Sequence, residues 1–282
     1  APAGYSSYLW STGATTQSII VSSNPTNPYY YQVVDQNSCN AFSDTIIVSV
    51  GQTPVLVLGN DTTICNGASV TVTAGPSTGI NYVWSDGQTG PTATFSTSGI
   101  FTVLADNNGC EARDSIQVGI SNGPAINIGP DEINICCDQS VVLSPGPAAS
   151  YSWQDGSRAS TIIVNKNSGS GMYTVAATDA LGCVSNDTTY ITINCLDPIA
   201  TYTPEPLPQG DTALLAVSSA ATQPVYSWTP TTGLNDPTNA RPLAAIDSTT
   251  TYVVGVTDQG FINSNGDYCT EYDTITVIVI PP

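Results

Sequence analysis

Eight cysteines and 22 carboxylates carry most of the chemistry open to this 282-residue chain, which holds no histidine and only 4 Lys and Arg together. Thiols can form disulfides, ligate metals or attack carbonyls, while carboxylates can act as acid–base pairs or bind Ca²⁺. Each of these uses leaves a mark in spacing. Zinc sites built on Cys need close pairs, yet no Cys-x-x-Cys occurs, and the adjacent Cys136 and Cys137 are poorly arranged to chelate one ion. The serines have no His partner and no nucleophile-elbow motif. No two carboxylates stand out as a glycosidase pair. The sequence therefore predicts no catalytic residue and no enzyme. It predicts no cofactor either, with Ca²⁺ at the loosely acidic loop Asp258 to Asp267 as the one exception to test. The remaining turn aspartates read as caps for their own backbone. Cys39, Cys65, Cys110, Cys136, Cys137, Cys183, Cys195 and Cys269 then point to disulfides, and so to an oxidising, extracellular setting.

The charge balance removes further classes. At a formal net charge of -18, four cations cannot neutralise a phosphate backbone, and an anionic membrane surface repels the chain. No apolar run reaches the ~18 residues that span a bilayer. Neither a signal peptide nor a sorting tail is recognisable, so a mature form or a fragment is expected.

The elements that position these groups are strands. Good helix formers are scarce, whereas Val, Ile, Thr and Tyr abound. All four Trp sit in Tyr-x-Trp, at Trp10, Trp84, Trp153 and Trp228, spaced by roughly 70–75 residues. Each is followed by an aromatic-x-Val strand, as in Tyr31-Gln32-Val33 and Phe101-Thr102-Val103. An Asp-rich turn comes next, then one Cys (Cys39, Cys110, Cys183, Cys269), then Asp-Ser/Thr and an alternating apolar strand. Upstream, Pro54, Pro124 and Pro198 open the second, third and fourth copies. Between Pro54 and Trp84 the pattern predicts strands over Val55–Leu58 and Ser69–Ala74, with turns at Gly59-Asn60-Asp61 and Asn66-Gly67. Seven or so short strands per repeat is the signature of a small β-sandwich, with the four Trp in its core. The expected organisation is an incomplete repeat over 1–52, lacking its first two strands, and whole repeats over 53–122, 123–196 and 197–282. Truncation explains the short first repeat most simply; strands supplied by another chain are the alternative.

At this point a resemblance enters. Leu58-Gly59-Asn60-Asp61-Thr62-Thr63-Ile64-Cys65-Asn66-Gly67, Tyr82-Val83-Trp84-Ser85-Asp86-Gly87 and Asp106-Asn107-Asn108-Gly109-Cys110 resemble the PKD-like/Ig-like repeats of Bacteroidota surface proteins. Trp228-Thr229-Pro230-Thr231-Thr232-Gly233-Leu234-Asn235-Asp236-Pro237 resembles another variant of the same repeat. The resemblance implies a rod-like array of tandem Ig-like/PKD-like sandwiches within a secreted adhesin or extracellular filament, exported as type 9 secretion cargo. Its partners would be further repeats of the same chain, neighbouring copies in a fibre, or surface polysaccharide. It also implies O-glycan acceptors at Asp-Ser/Thr tripeptides: Thr45, Thr62, Ser115, Thr188, Thr212, Ser248 and Thr274. Two rivals remain: a fibre subunit completed by a donor strand, and a carbohydrate-binding region using Tyr29, Tyr30 and Tyr31.

Two cysteine pairings compete. One stays within repeats, as Cys65–Cys110 and Cys136–Cys183, leaving Cys137, Cys195 and Cys269 to compete and Cys39 without a partner. The other joins the early Cys of one repeat to the late Cys of the next, as Cys65–Cys183 and Cys136 or Cys137 with Cys269. It explains why the fourth repeat carries Pro208 where its early Cys would stand. The within-repeat pairing is the simpler of the two.

Overall fold

A computed structural model describes residues 1–21, 28–48, 51–76 and 78–281. The described residues form strands and turns with no helix, as a chain poor in helix formers must. The chain divides into two compact units, Ala1–Ile120 and Ser121–Pro282.

In the first unit, β1 (Ser7–Trp10), β2 (Tyr31–Val34) and β3 (Asn40–Phe42) make one antiparallel sheet in that order. The second repeat adds β4 (Thr62–Cys65), β5 (Val70–Thr73), β6 (Asn81–Trp84), β7 (Thr92–Phe95), β8 (Gly99–Asn107) and β9 (Cys110–Ser121). Its sheets run β4-β9-β8-β6 and β5-β7.

The second unit repeats this plan with β10 (Glu132–Cys136), β11 (Val141–Leu143), β12 (Ser150–Trp153), β13 (Ile162–Val164), β14 (Gly171–Thr178) and β15 (Val184–Asn194), ordered β10-β15-β14-β12 and β11-β13. The fourth repeat contains β16 (Ile199–Thr203), β17 (Leu207–Pro208), β18 (Thr212–Ser218), β19 (Pro224–Thr229), β20 (Leu243–Ala245), β21 (Thr250–Ile262), β22 (Tyr268–Val277) and β23 (Val279–Ile280). Here the sheets are β16-β18-β20, β19-β21-β22 and β17-β23. Sheets whose strands interleave along the sequence in this way are immunoglobulin-like sandwiches in tandem.

One strand lies elsewhere than the pattern predicts. Residues 55–58 are a continuous apolar run but join no ladder, and their burial alternates, with Val55 and Val57 exposed. The ladder is made by Thr62–Cys65, within the stretch that read as turns. The third repeat behaves alike: its strand is Glu132–Cys136, and it pairs parallel to β15 with Cys136 opposite Asn194.

The recurring landmarks each have a packing reason. Trp84, Trp153 and Trp228 are 1–3% exposed and Trp10 is 8% exposed. Each indole N–H must find an acceptor once buried. It donates to the carbonyl of Thr16, Gly90, Ala159 or Asn239, at 2.8–3.1 Å. Opposite the indole lies the aromatic-x-Val strand, whose Val33, Val103, Val175 and Val254 are all buried. The Asp-rich turn is a backbone cap. Asp35 and Asp179 accept the N–H groups of Cys39 and Cys183, Asp106 accepts that of Gly109, and Asn263 takes the same part with Asp267.

Trp228 anchors the core of the fourth repeat. Trp228→Ala should cost about 3–5 kcal/mol. Urea unfolding followed by hydrogen exchange in β19, β21 and β22 checks this; a loss under about 1 kcal/mol contradicts a core role.

Candidate functional site

The most built region of the second unit is the junction between its two repeats. It begins with a backbone constraint. Because β10 runs parallel to β15, Cys136 lies at the far end of that strand from Cys183. At ~3.3 Å per residue that separation is roughly 35 Å, whereas a disulfide tolerates only about 7 Å between Cα atoms. The pair Cys136–Cys183 is therefore not formed. Cys136 instead bonds Cys269 of the next repeat, with Cα atoms 5.4 Å apart and 133 residues between them in sequence. Cys137 bonds Cys195 across a Cα distance of 4.7 Å.

The other expected pair, Cys65–Cys110, is also absent. Cys110 is a half-exposed free thiol, and Cys39 is an exposed one. Cys65 and Cys183 are both disulfide-bonded. In the second repeat β4 holds the place that β10 holds in the third, so the same strand length keeps Cys65 from Cys110.

Around the Cys136–Cys269 bond the two repeats interlock. Cys136 and Leu196 belong to the apolar core of the fourth repeat, although both come from the third repeat and its linker. The free edge of β10 is capped: Ser264 N–H donates to Asn134 O at 2.8 Å, and Asn134 N–H donates to Ser264 Oγ at 2.8 Å. An uncovered strand edge would otherwise invite foreign strands. Asn263, only 4% exposed, donates to Gln139 Oε1 at 3.4 Å, and that oxygen also accepts Cys136 N–H.

Two carboxylates hold the linker. Glu271 on β22 accepts Leu196 N–H and Asp197 N–H, one on each oxygen, at 3.2 and 3.0 Å. Asp258 is 1% exposed and accepts from Gln223 N–H, Gly260 N–H, the Thr222 hydroxyl and Asn194 Nδ2. Burial alone would raise its pKa, but donors from Gln223, Thr222, Gly260 and Asn194 lower it to about 2. So Asp258 turns inward to protein donors rather than into the acidic loop that ends at Asp267.

Chemically, the arrangement ties the two repeats together. Sγ of Cys137, Sγ of Cys195 and a Glu271 oxygen come within 4.8 Å of one another, but both sulfurs are spent in their mutual bond. Of the surface clefts among the described residues, one holds Asp155 and another Arg158, and neither brings two carboxylates together. Tyr31 packs on Trp10 at 5.0 Å, and of Tyr29, Tyr30 and Tyr31 only Tyr30 is exposed, so the three make no flat platform. Of the Asp-Ser/Thr hydroxyl positions, Thr45, Ser115, Thr188, Thr212, Ser248 and Thr274 are exposed and Thr62 is half-buried. Their aspartates serve the fold: Asp187 accepts Thr188 N–H and Ile128 N–H, and Asp273 accepts Thr274 N–H and Ala200 N–H. Gln139, Asn194, Asn263, Ser264 and Glu271 carry no sequence signal of their roles, since each matters only once the two repeats meet.

Asp258 gives the junction a pH dependence. Its folded pKa of about 2 lies below the ordinary value near 3.9. Its contribution is therefore full above about pH 4 and is lost as pH falls through about 2. Hydrogen exchange at the Gln223 and Gly260 amides should speed up over that window. The dependence should flatten in Asp258→Asn; an unchanged profile in the variant would place the titration elsewhere.

No protein-family model matches the chain, and no curated protein matches it significantly. Among solved structures it is similar to the N-terminal eight Ig domains of Down Syndrome Cell Adhesion Molecule, at 13% identity and a TM-score of 0.36. That alignment covers 99% of this chain and 44% of the other, so the chain spans less than half the length of that protein. Similar too are Sidekick-1 immunoglobulin domains 1–5, at 15% identity, TM-score 0.32 and 98% and 74% coverage. An I-band fragment of titin aligns at 13% identity and TM-score 0.42, with 83% and 100% covered.

Proposed function

We propose that the chain is a structural segment of an extracellular adhesin or filament, in which immunoglobulin-like repeats act as spacers and disulfides pass tension between them. The observation that carries this reading is the Cys136–Cys269 bond, which joins successive repeats through the core of the second. A disulfide of that kind is kept in an oxidising compartment. Two further features support it: short linkers, and repeated sandwiches with a net charge of -18. The resemblance of the repeats implies a bacterial cell surface and export by type 9 secretion. Six of the seven Asp-Ser/Thr hydroxyl positions face solvent, which suits O-glycan attachment. Intact mass of the natively secreted protein against the sequence mass tests the glycans directly.

Pulling on single molecules tests the mechanical role. The bond at Cys136 shields 133 residues from extension. At ~3.5 Å per residue, reduction should therefore release at least about 450 Å of additional contour length. Without reductant the Cys269→Ser chain should release only what lies outside the 58-residue Cys137–Cys195 loop, roughly 260 Å, and the rest on reduction. Equal contour lengths in all three cases would mean that the bond carries no tension.

A further inference from the structure

In three repeats the last long strand is flanked on its outer edge by the strand that precedes the core: β4 on β9, β10 on β15, and β17 on β23 beside β22. Among the described residues, β3 has no such neighbour. The consequence is readable two and four residues after the Asp within this strand, or, in the first repeat, after Asp44, which follows β3 in a segment bridged to Tyr29 at Ile46. In the second repeat these are Ile116 and Val118, 3% and 1% exposed; in the third, Thr189 and Ile191, 2% and 0%. In the first repeat Ile46 is 49% exposed, Val48 is only half-buried and nearby Phe42 is 70% exposed.

A second observation lies at the end of the same edge. Cys110 stands four residues before Asp114, as Cys269 stands four before Asp273. The partner of Cys269 is Cys136, in register with Asn194, seven residues after Asp187. Seven residues after Asp44 is Gly51. The Cys110 thiol packs directly on Gly51, where a Cβ would fall 2.5 Å from its sulfur. The free thiol thus waits where a strand laid on this edge would present its own cysteine.

We propose that the uncovered edge of the first repeat and the Cys110 thiol form one receptor site for an incoming polypeptide strand. The occupant is a segment from outside these 282 residues that runs parallel to the edge and ends in cysteine, as Ile133-Asn134-Ile135-Cys136 does. A second copy is an unsuited donor, because its matching strands β4 and β10 are already paired and their cysteines oxidised. The covalent step is thiol–disulfide exchange. Cys110 loses its proton to solvent, and its thiolate attacks the sulfur of the incoming cysteine, carried as a mixed disulfide with a small thiol. The new S–S bond forms as the old one breaks, and the small thiolate leaves with the electron pair and takes up a proton.

The proposal extends the stapled-array reading but fails separately from it, since the pulling measurement concerns Cys136–Cys269 alone. The probe is a synthetic peptide copying residues 125–143 with Cys137→Ser, its remaining cysteine activated as the mixed disulfide with 2-nitro-5-thiobenzoate. Mixed with the full chain, it should couple to Cys110 at least about tenfold faster than to the more exposed Cys39, and as much faster than a scrambled peptide does. Release of the yellow thiolate gives the rate, and peptide mapping gives the site. Coupling should protect the Ile46 and Val48 amides from exchange, and Gly51→Val should remove the preference for Cys110. Equal rates at the two thiols, equal rates for the two peptides, or disulfide-linked dimers of the chain with no peptide present would each overturn the proposal.

Discussion

Parallel pairing of the first strand of a sandwich with its last is the constraint on which the rest of the second unit turns. With β10 parallel to β15, the early cysteine travels the full length of the last strand and arrives beside the next repeat. Reverse pairing would carry it back toward the Cys183 end and close each sandwich on itself. The direction of one two-strand ladder therefore decides whether the disulfides lock single repeats or couple neighbours. The linker follows from the same geometry. Cys137, one residue on, lies close enough to bond Cys195, which fixes the point where the chain leaves β15. Leu196 then has nowhere to go but into the next core.

Few of the carboxylates meet a cationic side chain. Among the described residues the single ion pair is Arg113 with Glu111, at 3.7 Å and largely exposed on both sides, a pair of little energetic weight. Many of the carboxylates accept N–H groups instead. Turn aspartates cap their own loops, Asp187 and Asp273 fasten the incoming first segment, and Glu271 and Asp258 fasten the linker and its flank. A carboxylate can do this because it accepts through two oxygens at once, and backbone donors in turns and linkers would otherwise go unmet. In a chain with 4 cations and 22 acids this is the chemistry that remains available.

Much of the fold was legible because burial leaves a period in the sequence. Tyr-x-Trp, aromatic-x-Val and the Asp-Ser/Thr strand recur in order, and each proved to be a core contact or a cap, as a recurring landmark in a sandwich should be. Residues 55–58 mislead because an apolar run reports burial, and Leu58 can reach the core without its segment joining a ladder. Thr62–Cys65 was hidden behind strong turn residues on both sides. The cysteine partners were illegible for a deeper reason. Alternation at period two is identical for parallel and antiparallel strands, so the sequence offers both pairings and only the register chooses. The contacts of Glu271, Asn263 and Gln139 belong to the meeting of two repeats and have no pattern within either.

The neighbouring cysteines Cys136 and Cys137 also set an order in time. One partner lies 58 residues further along the chain and the other 133. A polypeptide delivered amino end first brings Cys195 into reach while Cys269 is still to come. The third repeat can then close its own linker first and keep Cys136 reduced until its successor arrives. Adjacent thiols with unequal waiting times let such a chain be finished in sequence, each repeat sealed only when the next is there to receive it.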